Sequence, residues 1–515
     1  MRISRAALLL IIFAAPAGAE APLSAIDWLS QSVVTPVAQP MPTVPPVTEP
    51  AITKDSALPG DVSVSVLGGP DPDAVGLLPP QVTGLPRNLW GLGRSVDIAS
   101  SLFGSDLEGL PALQGLLITL LLAEADAPVD GGGMGRLLVA RIDRLLALGA
   151  LDQARALLDA AGPQANADLF RRSFDVALLT GDEDRACDRM RATPNLAPTF
   201  PARIFCLARS GDWNAAALTL RTAEALGHVT EAEAALLSRF LDPDLYEGEA
   251  APPAPTPITP LAWRMFEAIG EPVSTTGLPL AFAHAELRDT AGWKAQIEAA
   301  ERLARAGAIS PNVLLGLYTE RMPAASGGVW DRADAFQDFD AALARRDTAA
   351  VAQSLTVVWT LMSSVELEVP FAVLFGDPLA TLPLTGPAAT LAFEIGLLSP
   401  GYRRIAAAQA PEATRAAFLA GLAAGDLTGL TAPDSMGRAI APAYAPAPEI
   451  GAEAALMIAQ NRTGEAILWA MGRIAVGVQG DLRGVGDGLA VLRKLGLTDV
   501  AARTALELML LERRG

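Results

Sequence analysis

The sequence predicts an all-α fold, a right-handed α-solenoid of stacked helical hairpins. The stretch 136–161 has the periodicity of two helices joined at a glycine, and related turns recur at intervals typical of helix-hairpin repeats. Hydrophobic residues make up 51% of the 515 residues but aromatic residues only 5%, so we expect cores built mainly from Leu, Ala and Val. Such small and aliphatic side chains favour closely packed helices.

The clearest hairpin lies at 136–161. Gly149 follows a leucine-rich run, at a point where a residue that tolerates a positive φ can end a helix. Asp152 then lies in the first turn of a second helix, where a negative charge interacts favourably with the helix dipole. The apolar residues of this second helix are spaced so that they share one face: Leu151, Ala154, Leu157, Leu158 and Ala161.

The same turn signal recurs along the chain. Each instance has Gly or Asn, which adopt the left-handed conformation most readily, and an alanine five residues later. Within each group, successive turns are about 30 to 35 residues apart, a period typical of helix-hairpin repeats. The sequence therefore predicts repeat turns at Gly149, Gly181, Gly211, Asn461 and Gly496.

The N-terminus predicts a secretory signal peptide. Arg2 and Arg5 precede an apolar run at 6–15, and the small residues A-G-A end at Ala19. We expect cleavage after Ala19 and a periplasmic or secreted mature protein. The apolar run is too short to cross a bilayer, so no membrane span is expected after cleavage.

The charge of the chain restricts its partners. The formal net charge is −18, and removal of residues 1–19 would leave 37 basic against 57 acidic residues. This excess argues against nucleic acid or anionic lipid as a partner, because both would be repelled. A partner with basic segments suits it better.

Changes in composition predict the domain organisation. The stretch Asp61–Leu67 (DVSVSVL) alternates like a single short strand, and Pro-rich runs separate blocks with helical periodicity. The predicted segments are a signal peptide (1–19), a Pro-rich disordered tether (20–60), an irregular segment with the short strand (61–94), a first helical-repeat block (95–241), a Pro-rich linker (242–260), a second helical block (261–440) and C-terminal helical hairpins (441–515).

No stretch predicts a catalytic residue, a cofactor or a metal site. The two histidines, His228 and His284, lie in no metal-binding motif. The GGGMG run at 131–135 lacks the Gly-Lys-Ser/Thr of a phosphate loop and predicts an ordinary loop. The run Gly477–Gly488 (GVQGDLRGVGDG) likewise predicts a long glycine-rich loop.

The two cysteines predict a disulfide. Cys187 lies in the second helix of one predicted hairpin and Cys206 in the first helix of the next, with a turn centred near 195–196. Antiparallel helices would hold them at about the same height, and export would favour their oxidation. Two reduced, buried thiols are the alternative.

In period and in the A-G-D-x-x-x-A style of turn, the hairpins resemble tetratricopeptide-like and related α-solenoid repeats over 136–240 and 452–511. The W-x2-L-G-x2-Y signature of that family is not present, so no ligand-binding positions are transferred. The whole chain also resembles an uncharacterised group of exported bacterial proteins that are sometimes labelled antifreeze glycopeptide polyproteins. The Thr-Ala-Ala repeat that this label implies is not present here.

These observations predict a non-enzymatic periplasmic scaffold or adaptor. A groove between stacked hairpins would bind an envelope protein or peptide, since such stacks form extended concave surfaces. The alternative is a subunit or remnant of an enzyme acting on cell-wall glycan, because soluble lytic transglycosylases also carry an exported α-superhelix. The E-S-x-x-x-x-x-G-L-M-Q-like stretch of their catalytic domain is not found in this sequence.

Overall fold

The computed structural model describes residues 71–162, 167–409 and 413–511. Over these residues the chain is all-helical, as predicted, and the one β contact is an isolated bridge between Leu78 and Ala123. The predicted signal peptide, the tether and the short strand Asp61–Leu67 lie outside the described residues. No helix within the described ranges is long and apolar enough to cross a membrane.

The first half of the described chain contains eleven α-helices. They are α1 (Pro80–Thr83), α2 (Ser95–Phe103), α3 (Pro111–Leu122), α4 (Arg136–Ala147), α5 (Leu151–Ala160), α6 (Ala167–Thr180), α7 (Glu183–Ala192), α8 (Phe200–Arg209), α9 (Trp213–Ala225), α10 (Glu231–Leu241) and α11 (Pro260–Ala268).

The second half contains thirteen more. They are α12 (Trp293–Arg305), α13 (Pro311–Thr319), α14 (Val329–Ala344), α15 (Thr348–Ser363), α16 (Glu368–Leu379), α17 (Gly386–Leu397), α18 (Tyr402–Ala407), α19 (Thr414–Ala424), α20 (Ser435–Ile440), α21 (Ala452–Ala459), α22 (Thr463–Val478), α23 (Leu482–Lys494) and α24 (Thr498–Leu510). Five 3₁₀ segments accompany the α-helices, at Pro72–Ala74, Pro194–Leu196, Pro243–Tyr246, Leu280–Leu287 and Ala441–Tyr444.

The five predicted turn residues all adopt the left-handed conformation. Their φ angles are 71° at Gly149, 87° at Gly181, 84° at Gly211, 83° at Gly496 and 56° at Asn461. Each lies between two consecutive helices, and the alanine five residues later is buried in every case. The local signals thus placed the ends of these helices correctly, because a left-handed residue satisfies the last carbonyls of a helix.

Gly149 also has a packing role that the sequence did not reveal. A Cβ atom at this position would lie 2.9 Å from Cγ of Leu280 and 3.0 Å from Cδ2 of Leu303. Its carbonyl oxygen is 2.6 Å from Nε2 of the buried His284. The turn therefore packs closely against the 3₁₀ segment Leu280–Leu287, which is distant in sequence, and His284 is a buried structural residue.

The prediction of a long loop at 477–488 is wrong. Most of it is helical, because α22 continues to Val478 and α23 begins at Leu482. A Cβ at Gly484 would lie 2.5 Å from the carbonyl oxygen of Arg473, and a Cβ at Gly488 would lie 2.5 Å from that of Ala470. The glycines let the two helices approach closely, and the resulting contact offsets their low helix propensity.

The ends of the described chain meet. Most helices pack against their neighbours in sequence, but α3 packs against α24 and α2 packs against α22. In an open solenoid each repeat contacts only its neighbours. The arrangement of the whole chain as a solenoid, and its right-handedness, are therefore not confirmed.

Within the described ranges, three groups of buried apolar side chains form the interior. The largest, here called the main core, runs from Leu78 to Leu511 and includes helices from all three predicted helical blocks. A second group, the arm core, lies between Phe170 and Phe266 and spans the predicted linker. A small third group, which includes Leu151 and Trp263, lies between them. We call 167–268 the arm and the other described residues the main body.

A buried arginine holds the segment before α1. Arg141 of α4 is 2% exposed and donates hydrogen bonds to the carbonyl oxygens of Leu121 (2.7 Å), Val75 (2.6 Å) and Ala123 (3.0 Å). Asp73 accepts the N–H of Leu138 in the first turn of the same helix, at 2.8 Å. This carboxylate supplies the cap that Gly135, the N-cap residue without a side chain, cannot.

Candidate functional site

The predicted cysteine pair joins two adjacent helices of the arm. Cys187 in α7 and Cys206 in α8 lie at disulfide distance, with Cα atoms 5.0 Å apart. Both side chains are buried within the arm core. The turn between them contains the short 3₁₀ segment Pro194–Leu196, so the two antiparallel helices bring the cysteines level, as the sequence indicated.

A groove of about 340 Å³ lies on the arm. Its walls are formed by α6, by the starts of α8 and α10, and by α11, with buried apolar side chains such as Phe174, Leu236 and Met265 among its lining. The non-helical segment 252–257 completes it and contributes Pro252, Pro253, Pro255 and Pro257. We call this site the proline-lined groove. The sequence identified 242–260 only as a linker.

The proline-lined groove contains an acidic group without a partner. Asp175 of α6 is partly buried in its wall, and no hydrogen bond or ion pair joins its carboxylate to any part of the chain that the structure describes. Burial raises the pKa of Asp175 to about 6, while the nearby guanidinium groups of Arg171 and Arg172 oppose that shift. At neutral pH the groove wall therefore carries a poorly solvated negative charge.

The other two charged residues that line the groove are Glu233, which is hydrogen-bonded, and Arg171, which is exposed. Glu233 forms a capping box with Thr230 at the start of α10, where the carboxylate accepts the backbone N–H of Thr230 at 2.8 Å. The combination of apolar walls, proline rings and an unpaired carboxylate suits an extended segment that carries one basic side chain between apolar ones.

The predicted turn residues do not line the groove. Gly181 and Gly211 shape the arm by ending α6 and α8, whereas Gly149, Asn461 and Gly496 lie outside the arm. Sequence reasoning missed Asp175, since nothing in its neighbours along the chain distinguishes it from other helical acids. The proline run at 252–257 was the one available signal, and from the sequence it indicated a linker between helical blocks rather than one wall of a groove.

The histidines do not form a site. His228 stacks on Phe200 with ring centroids 4.7 Å apart, and His284 is buried in the main body against Gly149. Among the described residues, no group of three or more His, Cys, Asp and Glu side chains is arranged to hold a metal ion.

Asp175→Asn is expected to raise the free energy of unfolding by about 1–2 kcal/mol at pH 7.5, allowing for partial exposure, and to change it little at pH 4. The raised pKa means that the folded chain holds a proton that the unfolded chain has lost between about pH 4 and pH 6. The wild type therefore loses stability as the pH rises from about 4 to about 6, and the Asp175→Asn variant does not. Denaturant unfolding at both pH values measures the difference.

Asp244→Asn is the matched control, because this aspartate lies in the same arm but is exposed. Its effect should be small and similar at both pH values. An equal gain for the two variants at pH 7.5 would show that Asp175 carries no burial penalty.

No protein-family model, curated protein or solved structure matches this chain.

Proposed function

We propose that this protein is a non-enzymatic exported scaffold or adaptor that holds an envelope protein by an extended segment in the proline-lined groove. The observation that carries the proposal is the carboxylate of Asp175, partly buried in the groove wall without a partner among the described residues. A Lys or Arg side chain of the bound segment would pair with it and relieve the cost of its burial.

The shape of the groove supports an extended occupant. The segment 252–257 already lies along the helices of the arm, so the arm accommodates one proline-rich stretch of its own chain. Proline has no backbone N–H, and its ring presents an apolar surface. The walls therefore offer apolar contact to a second extended segment rather than the continuous hydrogen bonds of an added strand.

The charge of the chain supports the same class of partner. With a net charge of −18, the protein attracts basic segments over the range set by ionic strength. We expect the recognised sequence to combine one Lys or Arg with apolar residues on either side.

Crosslinking in cells tests the proposal. A photoreactive residue in place of Ala232, which is exposed and lines the groove, is expected to yield a reproducible protein adduct. The same residue in place of Ala349, exposed on α15 and outside the groove, is the control. Adding Asp175→Asn should reduce the Ala232 adduct by about tenfold, the loss typical of one desolvated ion pair.

Mass spectrometry of the adducts separates the two candidate functions. A protein adduct that is specific to position 232 and sensitive to Asp175→Asn supports the scaffold. Adducts that contain only glycan fragments would contradict it and favour the alternative, a subunit of an enzyme acting on cell-wall glycan. Equal adducts at 232 and 349 would remove the groove from the proposal.

A further inference from the structure

A second cavity of about 360 Å³ lies in the main body, away from the arm. It is formed where the two ends of the described chain meet, between α3 and α24. Further walls come from the end of α12 and the loop that leads to α13, from α16, and from the end of α17 and the start of α18. We call it the central cavity. Its volume falls within the range of small-molecule sites, and none of its lining residues belongs to the proline-lined groove.

The walls of the central cavity are predominantly apolar. Three helices (α3, α16 and α17) and the loop before α13 contribute aliphatic side chains, among them Leu116, Ile118, Ile309, Val373 and Leu397. Leu116, Ile309 and Leu397 are at most 7% exposed whereas Val373 is 39% exposed, so the wall extends from the packed core to the surface. Such a lining suits an alkyl chain or another flexible apolar group.

Three partly exposed arginines line the central cavity, and we call the part of the lining that they form its border. They are Arg305, Arg403 and Arg503, with side chains 32%, 52% and 29% exposed. Of the acidic residues that the structure describes, two share the lining, Asp499 and Glu507. The border therefore has an excess of positive charge in a chain whose net charge is −18.

The two carboxylates are already engaged. Asp499 accepts hydrogen bonds from the hydroxyl of Tyr402 at 2.6 Å and from Nε of Arg503 at 2.8 Å. A guanidinium nitrogen of Arg403 is 3.7 Å from the same carboxylate, so one negative charge faces two arginines. Glu507 accepts the backbone N–H of Ala112 at 2.9 Å.

Arg305 is the least satisfied of the three arginines. The carboxylate nearest to it, that of Glu366, is 3.9 Å away. Its Nε is buried and has no hydrogen-bond acceptor within the described part of the chain. The border thus presents positively charged guanidinium groups next to an apolar interior, and the protein does not use all of their N–H donors.

We infer that the central cavity binds a single-chain amphipathic carboxylate of the fatty-acid type. The alkyl chain lies against the aliphatic walls, and the carboxylate accepts hydrogen bonds from the arginines at the border, with Arg403, the most exposed of them, at the entrance. Apolar burial supplies most of the affinity, and the guanidinium groups select the anion over an uncharged molecule of the same length.

Calorimetric titration of the purified chain with decanoate tests this inference, with 1-decanol as the uncharged probe of equal chain length. We expect saturable binding of one decanoate and at least tenfold weaker binding of 1-decanol. Arg403→Gln should weaken decanoate about tenfold and leave 1-decanol unchanged, because only the anion uses the guanidinium.

Arg404→Gln is the matched control. This neighbour on the same helix is also exposed and pairs with Asp377, but it does not line the central cavity. Equal affinity for the two probes, equal loss in the Arg403 and Arg404 variants, or no saturable binding would overturn the inference. Binding to anionic lipid vesicles instead of free decanoate would assign the arginines to a membrane surface and also overturn it. Asp175→Asn should not affect decanoate, so this test is independent of the groove.

Discussion

Replacement of Arg141 by Met is expected to lower the free energy of unfolding by about 3–5 kcal/mol. The guanidinium group is almost fully buried and donates hydrogen bonds to four carbonyl oxygens, those of Leu121, Val75, Ala123 and, at 3.5 Å, Asp73. Methionine fills a similar volume but leaves these acceptors without a donor in a dry environment. Burial lowers the pKa of Arg141 to about 10, so the side chain is still charged at neutral pH.

Denaturant unfolding measures this loss, and Arg136→Met on the same helix is the control. Arg136 is exposed, and its one side-chain hydrogen-bond contact within the described residues is a long one, 3.8 Å, to the sulfur of Met134. Its replacement should change stability by less than about 0.5 kcal/mol. If both variants lost the same amount, the segment before α1 would be held by apolar packing rather than by the arginine.

Removal of the disulfide by Cys187→Ala and Cys206→Ala is expected to cost about 3 kcal/mol in the chain-entropy description. The cysteines are 19 residues apart and both lie in the arm core, so the loss should fall on the arm. Limited proteolysis should then cut within 167–268 before it cuts the main body. Chemical unfolding of the oxidised wild type and of the double variant gives the magnitude.

Reduction of the wild type provides the control without mutation. A reducing agent should produce the same loss as the double variant, and the oxidised protein should show no free thiol under denaturing conditions. Two titratable thiols in the oxidised protein would contradict the pairing. Equal stability of the oxidised and reduced forms would show that the arm core holds α7 and α8 together without the bond.

Helices and their ends were accessible from the sequence because they depend on near neighbours. The apolar face of α5 follows from a spacing of 3.6 residues per turn, and its residues Leu151 and Leu157 are indeed fully buried. The turn at Gly149 follows from the preference of glycine for positive φ, and the observed value is 71°. Cys187 and Cys206 could be paired because two helices and one turn fix their relative height.

The glycine-rich run shows where local reasoning fails. Gly484 and Gly488 have low helix propensity, so the sequence alone predicts a loop. In the folded chain they lie inside α23, where the absence of a Cβ lets this helix contact backbone oxygens of α22 at close range. The packing energy of that contact comes from a partner helix and is invisible in the propensity of a single segment.

By itself, the sequence determined that this protein is helical, where its hairpins turn and which cysteines pair, since each depends on residues within about two helical turns or one loop. Only the tertiary structure decided that α3 meets α24, that 252–257 forms a wall of the proline-lined groove, and that Asp175 and Arg403 lie beside cavities. These properties depend on contacts between residues tens to hundreds of positions apart. Burial, charge balance and unused hydrogen-bonding groups are set by those contacts, and the candidate sites arise from them.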